Sequence, residues 1–84
     1  MMRRTSGVDI IEGEDALLVR IALGDVPPED VTIDATDRLL FVRGGAFSRS
    51  FYLPAHVEGS AAIAILSDGI LTVRIPRRDE IFAA

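Results

Sequence analysis

Several residue types are missing from this 84-residue chain, and each absence removes a class of function. The chain has no cysteine, which excludes disulfide frameworks and thiolate metal sites and fits a reducing, cytoplasmic setting. It has no lysine either, so a Schiff base or a phosphate loop with its lysine cannot form. No apolar run approaches the ~20 residues of a membrane span, and the first residues do not resemble a signal peptide.

The remaining polar residues do not form a pattern that supports catalysis. The single histidine, His56, follows a proline in a predicted loop, where a solvated side chain is expected. No serine stands in a Gly-x-Ser-x-Gly elbow, and the carboxylates at 12–15 and 25–30 lack the spacing of a calcium loop. The net charge of −4 argues against a nucleic-acid module. We therefore expect no enzyme, no metal and no cofactor.

What the chain does contain is alternation of apolar and polar residues with a period of two. This pattern is typical of half-buried strands, because successive side chains point to opposite faces. Turn signals separate the strands, among them the proline pair at 27–28 and the Asp68-Gly69 pair, which suits a type I′ hairpin. Seven segments are predicted: 8–11, 16–23, 31–35, 39–43, 47–53, 61–66 and 70–76. They predict one all-β domain, an antiparallel β-sandwich of about seven strands, with a polar loop at 55–60.

One predicted strand, at 61–66, is apolar on both faces. Ala62, Ala64 and Leu66 would share one face, and Ile63 and Ile65 the other. A helix is the rival interpretation because alanine favours it, but the isoleucines and the hairpin turn that follows favour a strand. The second apolar face either forms a binding surface or is covered by the tail or by a partner subunit.

Three motifs, in the same order, resemble the α-crystallin domain of the small heat-shock proteins. Residues 8–44 resemble its first half. The segment "FSRSFYLP" is similar to its Phe-x-Arg-x-aromatic-x-Leu-Pro strand, and "AILSDGILTV" to its Ala-x-x-x-Asn/Asp-Gly-Val/Ile-Leu-Thr-Val signature. The resemblance implies an immunoglobulin-like sandwich over 8–77, with a short arm at 1–7 and a short tail at 78–84. It also implies a stress-response holdase that binds unfolding client proteins without ATP.

The resemblance also implies two sites. In the family, a groove between the strands that match 31–35 and 61–66 binds an Ile-x-Ile/Val segment in competition with clients. Its counterparts here are Val31, Ile33, Ile63 and Ile65. The second site is a homodimer interface through the 47–53 strand edge, with Phe47, Arg49 and Phe51. For Arg49, an ordinary surface ion pair is the alternative.

The chain departs from the family pattern in three places. The arm before the first strand is short, no Ile-x-Ile/Val follows the last strand, and only "RGGA" joins Val42 to Phe47. Bacterial and plant members carry a long loop with a swapped strand at that third place, so swapped dimers are not expected here. We expect a monomer or a small dimer. The alternative function is a non-chaperone interaction or assembly module on the same fold, similar to a CS-type cochaperone domain.

Overall fold

The computed structural model describes residues 7–78, which form a sandwich of two antiparallel sheets. The four-stranded sheet has the order β1-β2-β7-β6 and the three-stranded sheet the order β3-β4-β5. The strands are β1 Val8–Glu12, β2 Ala16–Ala22, β3 Val31–Ala35, β4 Leu39–Gly44, β5 Phe47–Tyr52, β6 Ile63–Ser67 and β7 Ile70–Pro76. The predicted all-β sandwich of seven strands is confirmed.

The core lies between the sheets and is formed by the apolar side chains that alternate along each strand toward the other sheet. In β2, Leu17, Val19 and Ile21 are buried, whereas Arg20 and Ala22 on the other side are exposed. The same residues lie directly opposite Ile75, Val73 and Leu71 of β7, which are also buried. Leu40 and Val42 of β4 cover this layer from the other sheet. Packing of the two apolar faces is therefore the main source of stability.

The turns follow the glycines and prolines. Asp68 and Gly69 have φ values of 53° and 78°, the two positive values that a type I′ hairpin requires. Two 3₁₀ turns, Pro28–Asp30 and Gly59–Ala61, precede the edge strands β3 and β6. The second turn shortens the predicted strand at 61–66, because the Ala62 amide donates to the carbonyl of Gly59 instead of to a strand.

The segment predicted as a polar loop at 55–60 contributes to the core, which corrects that prediction. Val57 is completely buried and forms an isolated antiparallel bridge with Arg77. Gly59 is buried as well. The loop is drawn inward because its backbone bonds to the end of β7, where the Glu58 amide donates to the carbonyl of Pro76 at 2.8 Å.

The limits of the predicted domain, 8–77, enclose all seven strands. Residues 1–6 of the predicted arm and 79–84 of the predicted tail lie outside the described residues. Within residues 7–78, no helix has the length and apolarity needed to cross a lipid bilayer.

Candidate functional site

The edge strands β3 and β6 lie on the same side of the sandwich, one in each sheet. At the start of β6, Gly59 lies so close to the end of β3 that a Cβ there would come within 1.8 Å of the Thr36 carbonyl oxygen. At the end of β6, the amide of Leu23 donates to the carbonyl of Gly69 at 2.8 Å. Leu23 in turn lies beside Gly44, the residue opposite Val31 at the start of β3. Both ends of β6 are thus held next to the ends of β3.

The side chains of the four residues predicted for the groove point in two different directions on this side of the sandwich. Val31 and Ile33 are half-buried and pack against the core cluster. Ile63 and Ile65 are 60% and 63% exposed. They lie opposite Arg74 and Thr72 of β7, on the outer face of the four-stranded sheet. The structure therefore brings the two strands together but points these two pairs of side chains in different directions.

The inward side chains of β6 are Ala64 and Leu66, which sequence reasoning did not place in the groove. They lie opposite Val73 and Leu71, both buried in the core. A signal for this existed in the sequence. A two-residue Asp-Gly turn pairs Ser67 with Ile70, and counting back along β6 then assigns the isoleucines to the outer face.

The edge of β6 presents free backbone groups as well as side chains. Because the type I′ turn makes Ser67 and Ile70 a hydrogen-bonded pair, alternate residues of β6 direct their N–H and C=O groups toward β7. The groups of Ala64 and Leu66 then point away from β7 to the open edge. In the described residues no further strand pairs with this edge.

The predicted dimer residues lie together on the edge strand β5. Phe47 is half-buried, Arg49 is exposed and Phe51 is buried, and all three lie on the inward face. The guanidinium carbon of Arg49 lies 5.1 Å from the centroid of the Phe51 ring, a cation–π geometry. The structure thus shows the three side chains grouped at one open edge.

A polar cluster that the sequence did not predict fixes the loop next to β6. The Nε of Arg78 donates to the carbonyl oxygen of Ala55 at 2.7 Å, and its guanidinium also bonds to the carboxylate of Glu58. Asp37 lies 3.8 Å from the same guanidinium. The Nε2 atom of the exposed His56 lies 2.5 Å from Oε2 of Glu12. These contacts fasten the segment that leads into β6 to the rest of the domain.

Nothing in the described residues resembles a metal centre. No group of three or more histidine, aspartate or glutamate side chains between 7 and 78 could hold a metal ion together. This part of the chain does offer open strand edges and exposed isoleucines, which can bind extended polypeptide.

Comparisons with known proteins agree with this geometry. Residues 8–75 match the family model described as the HSP20-like domain found in ArsA. Spore protein SP21 of Stigmatella aurantiaca is 27% identical over 87% of the chain and 55% of its own length. Small heat shock protein C4 of Rickettsia felis is 25% identical over 86% of the chain and 56% of its own length. The chain thus spans about half the length of these curated relatives.

Solved structures show the same fold. A small heat-shock protein from Xylella fastidiosa matches with a TM-score of 0.78 at 23% identity, over 92% of this chain and 89% of that one. Heat shock protein 16.0 from Schizosaccharomyces pombe matches with a TM-score of 0.75 at 26% identity, over 92% of this chain and 77% of that one.

Proposed function

The chain belongs to the HSP20-like domain family, the α-crystallin domain family of the small heat-shock proteins, and on this premise we propose that it is an ATP-independent holdase. In this function the domain binds extended segments of unfolding proteins and keeps them from aggregating. The activity needs an apolar surface and an unpaired strand edge, and it needs no nucleophile, metal or nucleotide.

The observation that carries the proposal is the open edge of β6. Its two large outer side chains, Ile63 and Ile65, are more than half exposed although they stand in an ordered strand. The outward N–H and C=O groups of Ala64 and Leu66 can accept an added strand. An edge that is both apolar and unpaired is what a client segment with exposed hydrophobic residues would bind.

A strand added to β6 would use both pairs of predicted groove residues. Side chains alternate along an extended client, so one set would lie beside Ile63 and Ile65 on the outer face. The other set would point between the sheets, toward Val31 and Ile33 of β3. The two orientations seen in the structure thus correspond to the two faces of one bound strand.

The strength of such binding suits a reversible holdase. Burying a large apolar side chain contributes roughly 1.5–3 kcal/mol. A few such side chains with some backbone hydrogen bonds reach the ~8 kcal/mol of a micromolar complex. Clients bound at this strength can leave once they refold.

We also propose that the edge of β5 forms the dimer. The amide of Leu53 donates to the carbonyl of Arg38 at 2.8 Å, so the backbone N–H and C=O groups of the odd-numbered residues of β5 point toward β4. The backbone groups of Ser48, Ser50 and Tyr52 point to the open edge. Antiparallel pairing centred on Ser50 puts Arg49 opposite the second copy's Phe51. Pairing centred on Arg49 would put like charges opposite each other and is disfavoured.

The test of the holdase proposal is light scattering from a heat-labile client such as citrate synthase, without ATP. We expect suppression at near-stoichiometric ratios, and we expect Ile63→Asp and Ile65→Asp to remove most of it while the domain stays folded. Ser67→Asp is the matched control, because it adds the same charge to an exposed position of the same strand. Full suppression by folded Ile63→Asp and Ile65→Asp would contradict the groove assignment.

A second function, that of an interaction or assembly module, is favoured by one finding. The matching family model describes a domain found in ArsA, and so within another protein. For a module of this kind, we expect no suppression of client aggregation and one tight stoichiometric partner in a pull-down.

A further inference from the structure

The edge strand β1, at the far edge of the four-stranded sheet from β6, carries two exposed isoleucines. Ile10 is 57% exposed and Ile11 is 45% exposed, and they lie on opposite faces of the strand. In the described residues only β2 pairs with β1. The connection between β4 and β5 is the two-residue turn at 45–46, which is too short to contain a further strand. No strand from this connection can therefore pair with the β1 edge of a second copy.

Backbone hydrogen bonds show which groups of β1 are available. The amide of Ala22 donates to the carbonyl of Gly7, and the amide of Gly13 donates to the carbonyl of Ala16, both at 2.9 Å. The backbone N–H and C=O groups of the odd-numbered residues of β1 therefore point toward β2. The N–H and C=O groups of Val8, Ile10 and Glu12 point to the open edge.

The sequence of β1 is complementary to itself when it pairs antiparallel about Ile10. Ile10 then lies opposite Ile10 of the second copy, Val8 opposite Glu12, and Asp9 opposite Ile11. No two like charges lie directly opposite each other, and the three outward residues of each strand form up to about six hydrogen bonds. The carboxylate of Glu12 already has a partner, since His56 lies 2.5 Å away.

Neighbouring registers are worse. Pairing about Asp9 places the two aspartates opposite each other, which is destabilising. Pairing about Ile11 carries Val8 beyond the end of the second strand, so only two of the three outward residues of each strand remain paired. Of these registers, only the one about Ile10 joins the more exposed of the two isoleucines and pairs all three outward residues of each strand.

We propose that β1 is a second self-association edge, at which two copies of this chain join their four-stranded sheets into one. The occupant is a second copy because the strand itself supplies the matching pattern. This surface is separate from the β6 edge proposed for clients and from the β5 edge proposed for the dimer. With both β1 and β5 paired, copies would join alternately through the two edges.

The test measures solution mass by sedimentation over a range of protein concentrations. Ile10→Lys places two charges at the centre of the pair, and we expect it to raise the dissociation constant of this contact at least about tenfold. Ile63→Lys is the control, because Ile63 has nearly the same exposure on the other edge. Ser50→Pro removes an outward N–H of β5 without breaking a hydrogen bond to β4, and it is used to weaken pairing through the β5 edge. The double variant Ile10→Lys, Ser50→Pro is expected to be monomeric.

A second measurement uses the unmodified chain. Amide hydrogen exchange at Val8, Ile10 and Glu12 is expected to slow as protein concentration rises, whereas Asp9 and Ile11, bonded to β2, should not change. Association unaffected by Ile10→Lys, or protection that appears only when client is added, would overturn the proposal. Both readouts are independent of aggregation suppression, so the holdase proposal stands or falls separately.

Discussion

Gly59 lies directly against the main chain of Thr36, so closely that a Cβ on Gly59 would be 1.8 Å from the Thr36 carbonyl oxygen and 2.9 Å from Cδ1 of Leu53. This contact joins the turn before β6 to the end of β3, residues that belong to different sheets. It is a backbone contact, so no side-chain rearrangement can relieve it. The relative position of the two edges proposed to bind clients depends on it.

Gly59→Ala is expected to destabilise the domain by about 3 kcal/mol or more, because the added methyl group must push backbone apart. Urea unfolding measures the change, provided that the transition is two-state. Gly24→Ala is the control. Gly24 has a φ of 78°, and a Cβ added there would meet no other atom within 4 Å, so only the ~1–2 kcal/mol cost of a left-handed alanine is expected. Equal losses for the two variants would contradict the steric explanation.

Arg78→Gln is expected to reduce the free energy of unfolding by about 1–2 kcal/mol, since it removes charge-assisted bonds to a half-buried site. The side chain of Arg78 is 33% exposed and that of Glu58 is 16% exposed, so solvent screens the pair only in part. The loss should shrink in high salt, which urea titrations at two salt concentrations would show. Arg43→Gln, at an exposed position of β4, is the comparison and should change stability little. If Arg43→Gln costs as much stability as Arg78→Gln, the bonds of Arg78 do not carry this contribution.

Arg49→Met tests the β5 interface. The folded domain should lose less than about 1 kcal/mol, because the contact with Phe51 is at an exposed site. The dimer should weaken by about tenfold, since each Arg49 would lie opposite the second copy's Phe51. Sedimentation equilibrium in the Ile10→Lys background would measure this contact alone. If the dissociation constant moves no more than it does for Arg43→Met, the alternative of an ordinary surface arginine is supported.

Most of the fold could be predicted from local patterns, and β7 and β5 show why. Alternation in 70–76 assigns Leu71, Val73 and Ile75 to the core, and the structure buries all three. In β5, alternation correctly placed Arg49 on the same face as Phe51. Period-two patterns succeed where a strand has one buried and one more solvated face, as β2 and β7 do.

The candidate site was less predictable because β6 is apolar on both faces. Alternation gives no preference between Ile63 and Ala64 for the inward position, so only the register from the Asp68-Gly69 turn decides it. Val57 was missed for a related reason. It is a single buried residue in a polar segment without alternation, and its burial follows from a bridge to Arg77, 20 positions away.

The amino-acid sequence by itself determined the order of the seven strands, the hairpin turn at Asp68-Gly69 and the family, because hydrophobic period, turn chemistry and motif order are all local properties. The tertiary structure alone decided which edges became neighbours and how they are held. The contacts that do this, such as His56 with Glu12 and Gly59 with Thr36, join residues far apart in the chain. They exist only after two sheets have packed face to face, because burial of the shared core is what brings their edges together.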